Sequence, residues 1–179
     1  MSENLKKLVL GGGCFWCLDP VFSQLKGVEK VIVGYAGGSV PNPTYELVCT
    51  GRTNHAEVVE IIYNPMVISM EGLLDVFFRV HDPTTTNRQG ADVGTQYRSI
   101  IFVNSDQEKD IALQKIREIN EAKIWWNSIV TQVEFLQEFF PAEEYHQDYF
   151  EKNPYAGYCQ VVINPKLSKF RKEFQNSLK

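Results

Sequence analysis

The stretch Gly11-Gly12-Gly13-Cys14-Phe15-Trp16-Cys17 puts two thiols and two large aromatics beside a flexible turn, directly after the apolar run Leu8-Val9-Leu10. A cysteine at the start of a helix faces unpaired backbone N–H groups and the positive end of the helix dipole. Both favour the thiolate, the nucleophilic form of sulfur. Cys14 is therefore the first candidate nucleophile. The glycines allow a turn with positive φ and a close approach of backbone to a substrate. The plainer reading of Cys14 is a small residue packed at a tight turn. Its place on an exposed turn, with Cys17 three residues on, favours the chemical one. Phe15 and Trp16 would be core by position alone, or, against a partly apolar substrate, rings that enclose a methyl group beside the sulfur.

Other residues could assist a thiol. In Ala56–Tyr63, strand alternation sets Glu57 on one face with Val59, Ile61 and Tyr63, and Glu60 on the other with Val58 and Ile62. A carboxyl group poorly reached by water keeps its proton to higher pH and can serve as a general acid near neutrality. The pattern alone does not separate Glu57 from an ordinary strand carboxylate. His55 and His146 read as structural hydrogen-bonders and His81 as core. The hydroxyls of Tyr45, Tyr97, Tyr145 and Tyr149 could donate to a polar oxygen, and Cys49 reads as a packed thiol.

The elements that must hold these residues follow from periodicity. Leu5–Leu10 reads as a strand, and Cys17, Leu18, Val21, Phe22 and Leu25 as a helix ended by Gly27, with Pro20 tolerated in its first turn. Val28–Tyr35 and Ala56–Tyr63 read as strands. Ser69 caps a helix with Leu73, Leu74, Phe77, Phe78 and His81 on its apolar face. The polar stretch 82–96 precedes a strand over Tyr97–Val103 and is long enough to suggest a function. Ser105-Asp106-Gln107-Glu108 is a capping box before a helix burying Ile111, Ile116 and Ile119. Ile129–Leu136 reads as a strand, Pro141 as a helix start, Cys159–Ile163 as a last strand and Leu167, Phe170 and Phe174 as the face of a closing helix. Strands and helices interleave without a repeat or linker, so one α/β or α+β domain with a mixed sheet spanning 1–179 is expected.

Composition bounds the partners. Among 179 residues, 44% are hydrophobic and the net charge is −4, which suits a filled core and argues against a phosphate backbone as ligand. The densest cationic stretch, residues 166–172, alternates with apolar residues. No run approaches the roughly 18 apolar residues of a membrane span, and the three-residue apolar run after Lys6 and Lys7 is too short for a signal peptide. A cytoplasmic protein, with its four cysteines available for chemistry, metal or packing, is the expectation.

Several segments together resemble the peptide methionine sulfoxide reductase A family: GCFWC (13–17), GRTNHAEVV (51–59), HDPT (81–84), GADVGTQYRS (90–99), EYHQDYF (144–150) and KNPYAGYC (152–159). They occur in order along nearly the whole chain. The one visible departure is Asn54 where the family usually has glycine, and asparagine also tolerates a left-handed backbone. The resemblance implies an α+β fold, a two-layer sandwich or roll with a ferredoxin-like plait core, acting as a single catalytic domain. It also implies reduction of the S epimer of methionine sulfoxide, free or in proteins, with thioredoxin as reductant and no metal or organic cofactor. By the same resemblance Cys14 is the nucleophile and Glu57 the acid. Tyr45, Tyr97 and Asp92 bind the sulfoxide oxygen, and Phe15 and Trp16 receive the methyl. Cys159 resolves the intermediate, with Cys17 replacing it or passing the disulfide on. Nothing demands more than a monomer. Two rivals are a general thiol–disulfide oxidoreductase built on Cys14-x-x-Cys17, and a metal-binding module, which lacks a second close ligand pair.

Overall fold

The computed structural model describes residues 4–179. Its frame is a six-stranded mixed sheet with helices packed mainly on one face. The strands β1 (Lys6–Gly11), β2 (Val28–Ala36), β3 (Ala56–Tyr63) and β6 (Ile100–Val103) run in the order β6-β1-β3-β2. Helix α1 (Phe15–Ser23) connects β1 to β2, and α3 (Met70–Val80) connects β3 to β6. That chain order and strand order make the split βαβ arrangement of a ferredoxin-like plait, as expected. Two edge strands extend it. β7 (Gln132–Phe135) pairs in parallel with β6, after α4 (Asp106–Glu121), and β8 (Phe139–Pro141) lies antiparallel on β2. Five-residue α2 (Tyr45–Cys49), the hairpin of β4 (Arg88–Gln89) and β5 (Asp92–Val93), the short α5 (Tyr149–Lys152) and the closing α6 (Asn164–Glu173) complete the chain.

The core lies between α1, α3 and α6 and one face of the sheet, where Leu8, Leu10, Phe22, Val59, Ile61, Phe77, Phe78 and Phe170 are almost fully buried. A smaller apolar cluster of Val9, Ala36, Ala56, Val58, Ile100 and Phe102 backs the other face. β3 is therefore covered on both sides, and its alternation sorts residues between two clusters rather than between core and water. The caps form as read: Ser69 Oγ accepts from the Gly72 N–H and Ser105 Oγ from the Glu108 N–H. Asn54 takes the left-handed backbone at φ 60°. No helix among the described residues is long and apolar enough to cross a membrane.

Five local expectations change. Pro20 is the sixth residue of α1, so the Trp16 carbonyl, four residues back, has no N–H to accept there. The stretch 82–96 contains the β4–β5 hairpin, and Tyr97 belongs to a 3₁₀ turn rather than a strand start. Pro141 ends edge strand β8 opposite Gly34 instead of opening a helix; a residue without an N–H is accommodated on an edge. Cys159–Ile163 forms a π-type turn running into α6, not a strand. Along α4 it is Ala112, Lys115 and Ile119 that are buried, with Ile111 and Ile116 only partly so; the Lys115 ammonium stays paired, 2.9 Å from Asp75.

Candidate active site

β1 ends at Gly11 and α1 starts at Phe15, so the glycines and Cys14 form the turn at the strand's end. The turn has no room for side chains. A Cβ on Gly12 would stand 3.0 Å from the His81 ring, and one on Gly13, at φ +96°, 2.6 Å from Gln89 Cγ. His81 is locked beneath it by Phe77 and Ser99, and burial pulls its imidazole down to about 4, so it is neutral packing as expected of a core histidine. Gln89 is tied above it by two hydrogen bonds to the Asp82 backbone.

Cys14 is the N-cap residue of α1, half-buried, and the Cys17 N–H donates to its carbonyl at 3.0 Å. The expected acidity of this thiol does not follow. Burial, then the hydrogen bond to Cys17 and the negative charge of Glu57, push the Cys14 thiol well up. The helix N-terminus is outweighed, because a dipole is worth about 1 kcal/mol in this setting while desolvating a charge costs more. The hydrogen bond from Cys14 instead brings the Cys17 thiol down to about 7, against the opposing effect of burial.

Glu57 projects from β3 toward this turn and is 1% exposed. Its carboxylate accepts the Phe15 N–H at 3.1 Å. Burial first, with the nearby charge of Asp92, raises its carboxyl to about 8 despite that bond and one from Cys14. A carboxylic acid that holds its proton at neutral pH thus lies beside the thiols.

An aromatic wall stands on the other flank. Trp16 stacks on Tyr149 at a centroid distance of 3.7 Å and 7° between planes, and its indole N–H donates to His146 Nδ1 at 3.0 Å. The bond leaves the His146 proton on Nε2, which is buried without a hydrogen-bond partner. Phe15 is fully buried against Tyr35 and His146, so it backs this wall while Trp16 faces outward. Tyr45 lies over His146, its N–H held by Glu143, which also accepts from the Tyr35 hydroxyl. Burial raises the hydroxyls of Tyr45 and Tyr97, with Glu57 as the next cause for Tyr97. Both remain neutral donors. Asp92 is half-exposed and accepts the Tyr158 hydroxyl at 2.9 Å.

Cys159 is fully buried in its π-type turn, and burial and then the charge of Cys17 raise its thiol. Cys49 is an exposed residue at the end of α2, hydrogen-bonded to Tyr45, rather than a packed thiol. Tyr158, Glu143 and Gln89 were not singled out from the sequence. Tyr158 adjoins Cys159, which is a usable signal; Glu143 and Gln89 act across more than 70 residues and leave none. Among the described residues no group of three or more His, Cys, Asp and Glu is arranged to hold a metal ion. A cavity of about 720 Å³ between Gly37–Pro41 and Phe135–Phe140 lies behind the sheet and contains none of these groups.

This geometry has relatives. Residues 6–178 match the family described as Peptide methionine sulfoxide reductase. A Polynucleobacter asymbioticus protein named Peptide methionine sulfoxide reductase MsrA is 51% identical over 97% of this chain and 91% of its own. The reduced form of Mxr1 from Saccharomyces cerevisiae superposes with a TM-score of 0.81 at 40% identity, covering 89% of this chain and 91% of that one. Mxr1 in complex with Trx2 aligns at a TM-score of 0.58 and 31% identity, over 83% and 87% of the two chains.

Proposed function

The chain belongs to the peptide methionine sulfoxide reductase family, and from that premise we propose how its residues reduce methionine sulfoxide and how a thioredoxin restores them. The observation that carries the reading is the buried, protonated Glu57 beside the Cys14–Cys17 pair. Substrate oxygen sits toward Glu57, Tyr45 and Tyr97, with Asp92 nearby, and the methyl lies on Trp16 with Phe15 behind it. Cys14 approaches the sulfur from the turn. Oxygen, methyl and attacking sulfur then occupy fixed directions, so only one epimer can present its chain outward; the family resemblance makes it the S epimer.

In the first step Glu57 gives its proton to the oxygen as Cys14 sulfur attacks the substrate sulfur, and the Cys14 proton passes to Cys17. The substrate S–O bond breaks, an S–O bond forms on Cys14, and two electrons move from Cys14 to the released methionine. Cys17, already against Cys14, then forms the first disulfide. Cys159 follows once its turn opens, taking over Cys17 and freeing Cys14. This reverses the order expected from sequence, because Cys159 is sealed and Cys17 is not separated from its target. Thioredoxin closes the cycle by disulfide exchange; the yeast Mxr1–Trx2 complex supports this assignment. The whole chain acts as one monomeric catalytic unit in the cytoplasm. The rival thiol–disulfide oxidoreductase leaves Glu57 without a task.

Separated S and R sulfoxides of a methionine peptide test the reading. Turnover is expected on the S epimer alone, with Cys14→Ser inactive and mass mapping finding disulfides on Cys14. Equal use of both epimers, or activity in Cys14→Ser, would refute it.

A further inference from the structure

The steps above leave a proton on Cys17, and a thiol attacks far more slowly than a thiolate. Cys17 is 4% exposed, so water does not collect that proton directly. Its sulfur has two hydrogen-bond neighbours: Cys14, its target, and the Tyr158 hydroxyl at 3.6 Å. Tyr158 in turn donates to Asp92 Oδ2 at 2.9 Å, and Asp92 reaches solvent. Sulfur, phenol and carboxylate form a continuous line from a buried thiol to a partly exposed carboxylate.

We infer that Tyr158 and Asp92 are the proton exit of Cys17 in the resolving step. The inference rests on the proposed oxidation of Cys14 to a sulfenic acid and specifies how that acid is resolved. As Cys17 sulfur bonds to Cys14 sulfur, the Cys17 proton moves to the Tyr158 oxygen and the Tyr158 proton to Asp92, then to water. The Cys14 S–O bond breaks with its electron pair on oxygen, and reprotonated Glu57 completes the leaving water. Sulfenic acid plus thiol becomes disulfide plus water, with no external oxidant. Among the described residues, Glu57, Lys166 of α6 and Cys159 are the other titratable groups near Cys17, and none of them is hydrogen-bonded to it. Tyr158 is thus a positioning and proton-transfer residue of resolution, separate from the groups around the sulfoxide oxygen.

Tyr158→Phe keeps the ring and removes the hydroxyl. In rapid-quench experiments, methionine released per enzyme follows the first step, and loss of a trappable sulfenic acid follows resolution. The ratio of resolution rate to release rate is expected to fall at least tenfold in Tyr158→Phe. The variant's resolution rate should also climb with pH beyond the point where the wild type levels off, since hydroxide then replaces the missing relay. A packing defect alone would depress both steps and leave the pH profile in place; that outcome, or an unchanged ratio, overturns the inference. If mass mapping of the wild type finds Cys14–Cys159 formed without Cys14–Cys17, the inference falls while sulfoxide reduction stands. If Cys14 yields neither sulfenic acid nor disulfide, both fall.

Discussion

Glu57 and Glu60 lie three residues apart on the same strand, both almost free of water, and the sheet gives them different surroundings. Glu57 looks onto the helix side, its carboxylate oxygen on the Phe15 N–H, with no ion pair among the described residues; burial raises its carboxyl to about 8. Glu60 points to the other face, between β1 and β2, with the Lys7 ammonium at 4.0 Å and an opening of 9%. At Glu57 the lost water is replaced by one weak donor and by further negative charge rather than by a counter-ion, and that replacement favours the protonated carboxyl.

The sharpest way to break this comparison is to remove each acid function in turn. Glu57→Gln keeps size and hydrogen bonding but has no proton to give, and the rate of sulfoxide reduction is expected to fall about 10³-fold, within the range for general acids. The wild-type rate should decline as pH rises through about 8, where Glu57 loses its proton, and below about 7, where Cys17 gains one; stopped-flow pH profiles of the variant should lack the alkaline limb. A variant that kept that limb would assign it to another group.

A second effect concerns stability. An unfolded glutamate releases its proton near 4.5, so between there and about 8 the folded chain holds a proton the unfolded chain has lost. Stability contributed by that proton is present at low pH and drains away as pH rises through the window. Denaturant titrations at pH 5 and pH 9 should therefore show Glu57→Gln losing less stability than wild type, by roughly 1–4 kcal/mol. An equal loss in both proteins would mean the carboxyl is not desolvated. The smallest effect belongs to Glu60→Gln. Its partner is mostly exposed, and breaking such a pair costs about 0–1 kcal/mol with turnover within twofold of wild type. A larger loss of activity there would erase the distinction.

How much of this was legible beforehand depended on the range of the interaction. The Ser69 and Ser105 caps, the Asn54 loop and the two faces of β3 rest on contacts within a few residues, and the sequence displays them. The plait followed from the interleaving of strands and helices together with the family likeness. What could not be read was set by distant partners. Pro141 becomes a strand end because Gly34 of β2 offers it an edge, and the Cys159 segment winds into a turn because α6 continues it. The groups that oppose acidity at Cys14 are unreadable for the same reason: the dipole is local and visible, whereas Glu57 and the cover over the thiol arrive from elsewhere in the chain.

The moulded turn between β1 and α1 sets where this enzyme can vary. Gly12 and Gly13 are pressed between the His81 ring below and the Gln89 side chain above, while Gly90, one residue beyond that roof, has open space around it but a left-handed backbone at φ +59°, and the next residue, Ala91, is exposed. Changes at the exposed Ala91, rather than at Gly90, can therefore alter the surface of the hairpin tip without disturbing the turn that holds the reactive sulfur. Diversity among such enzymes in what they accept should accumulate at that tip, while the turn beneath it stays silent.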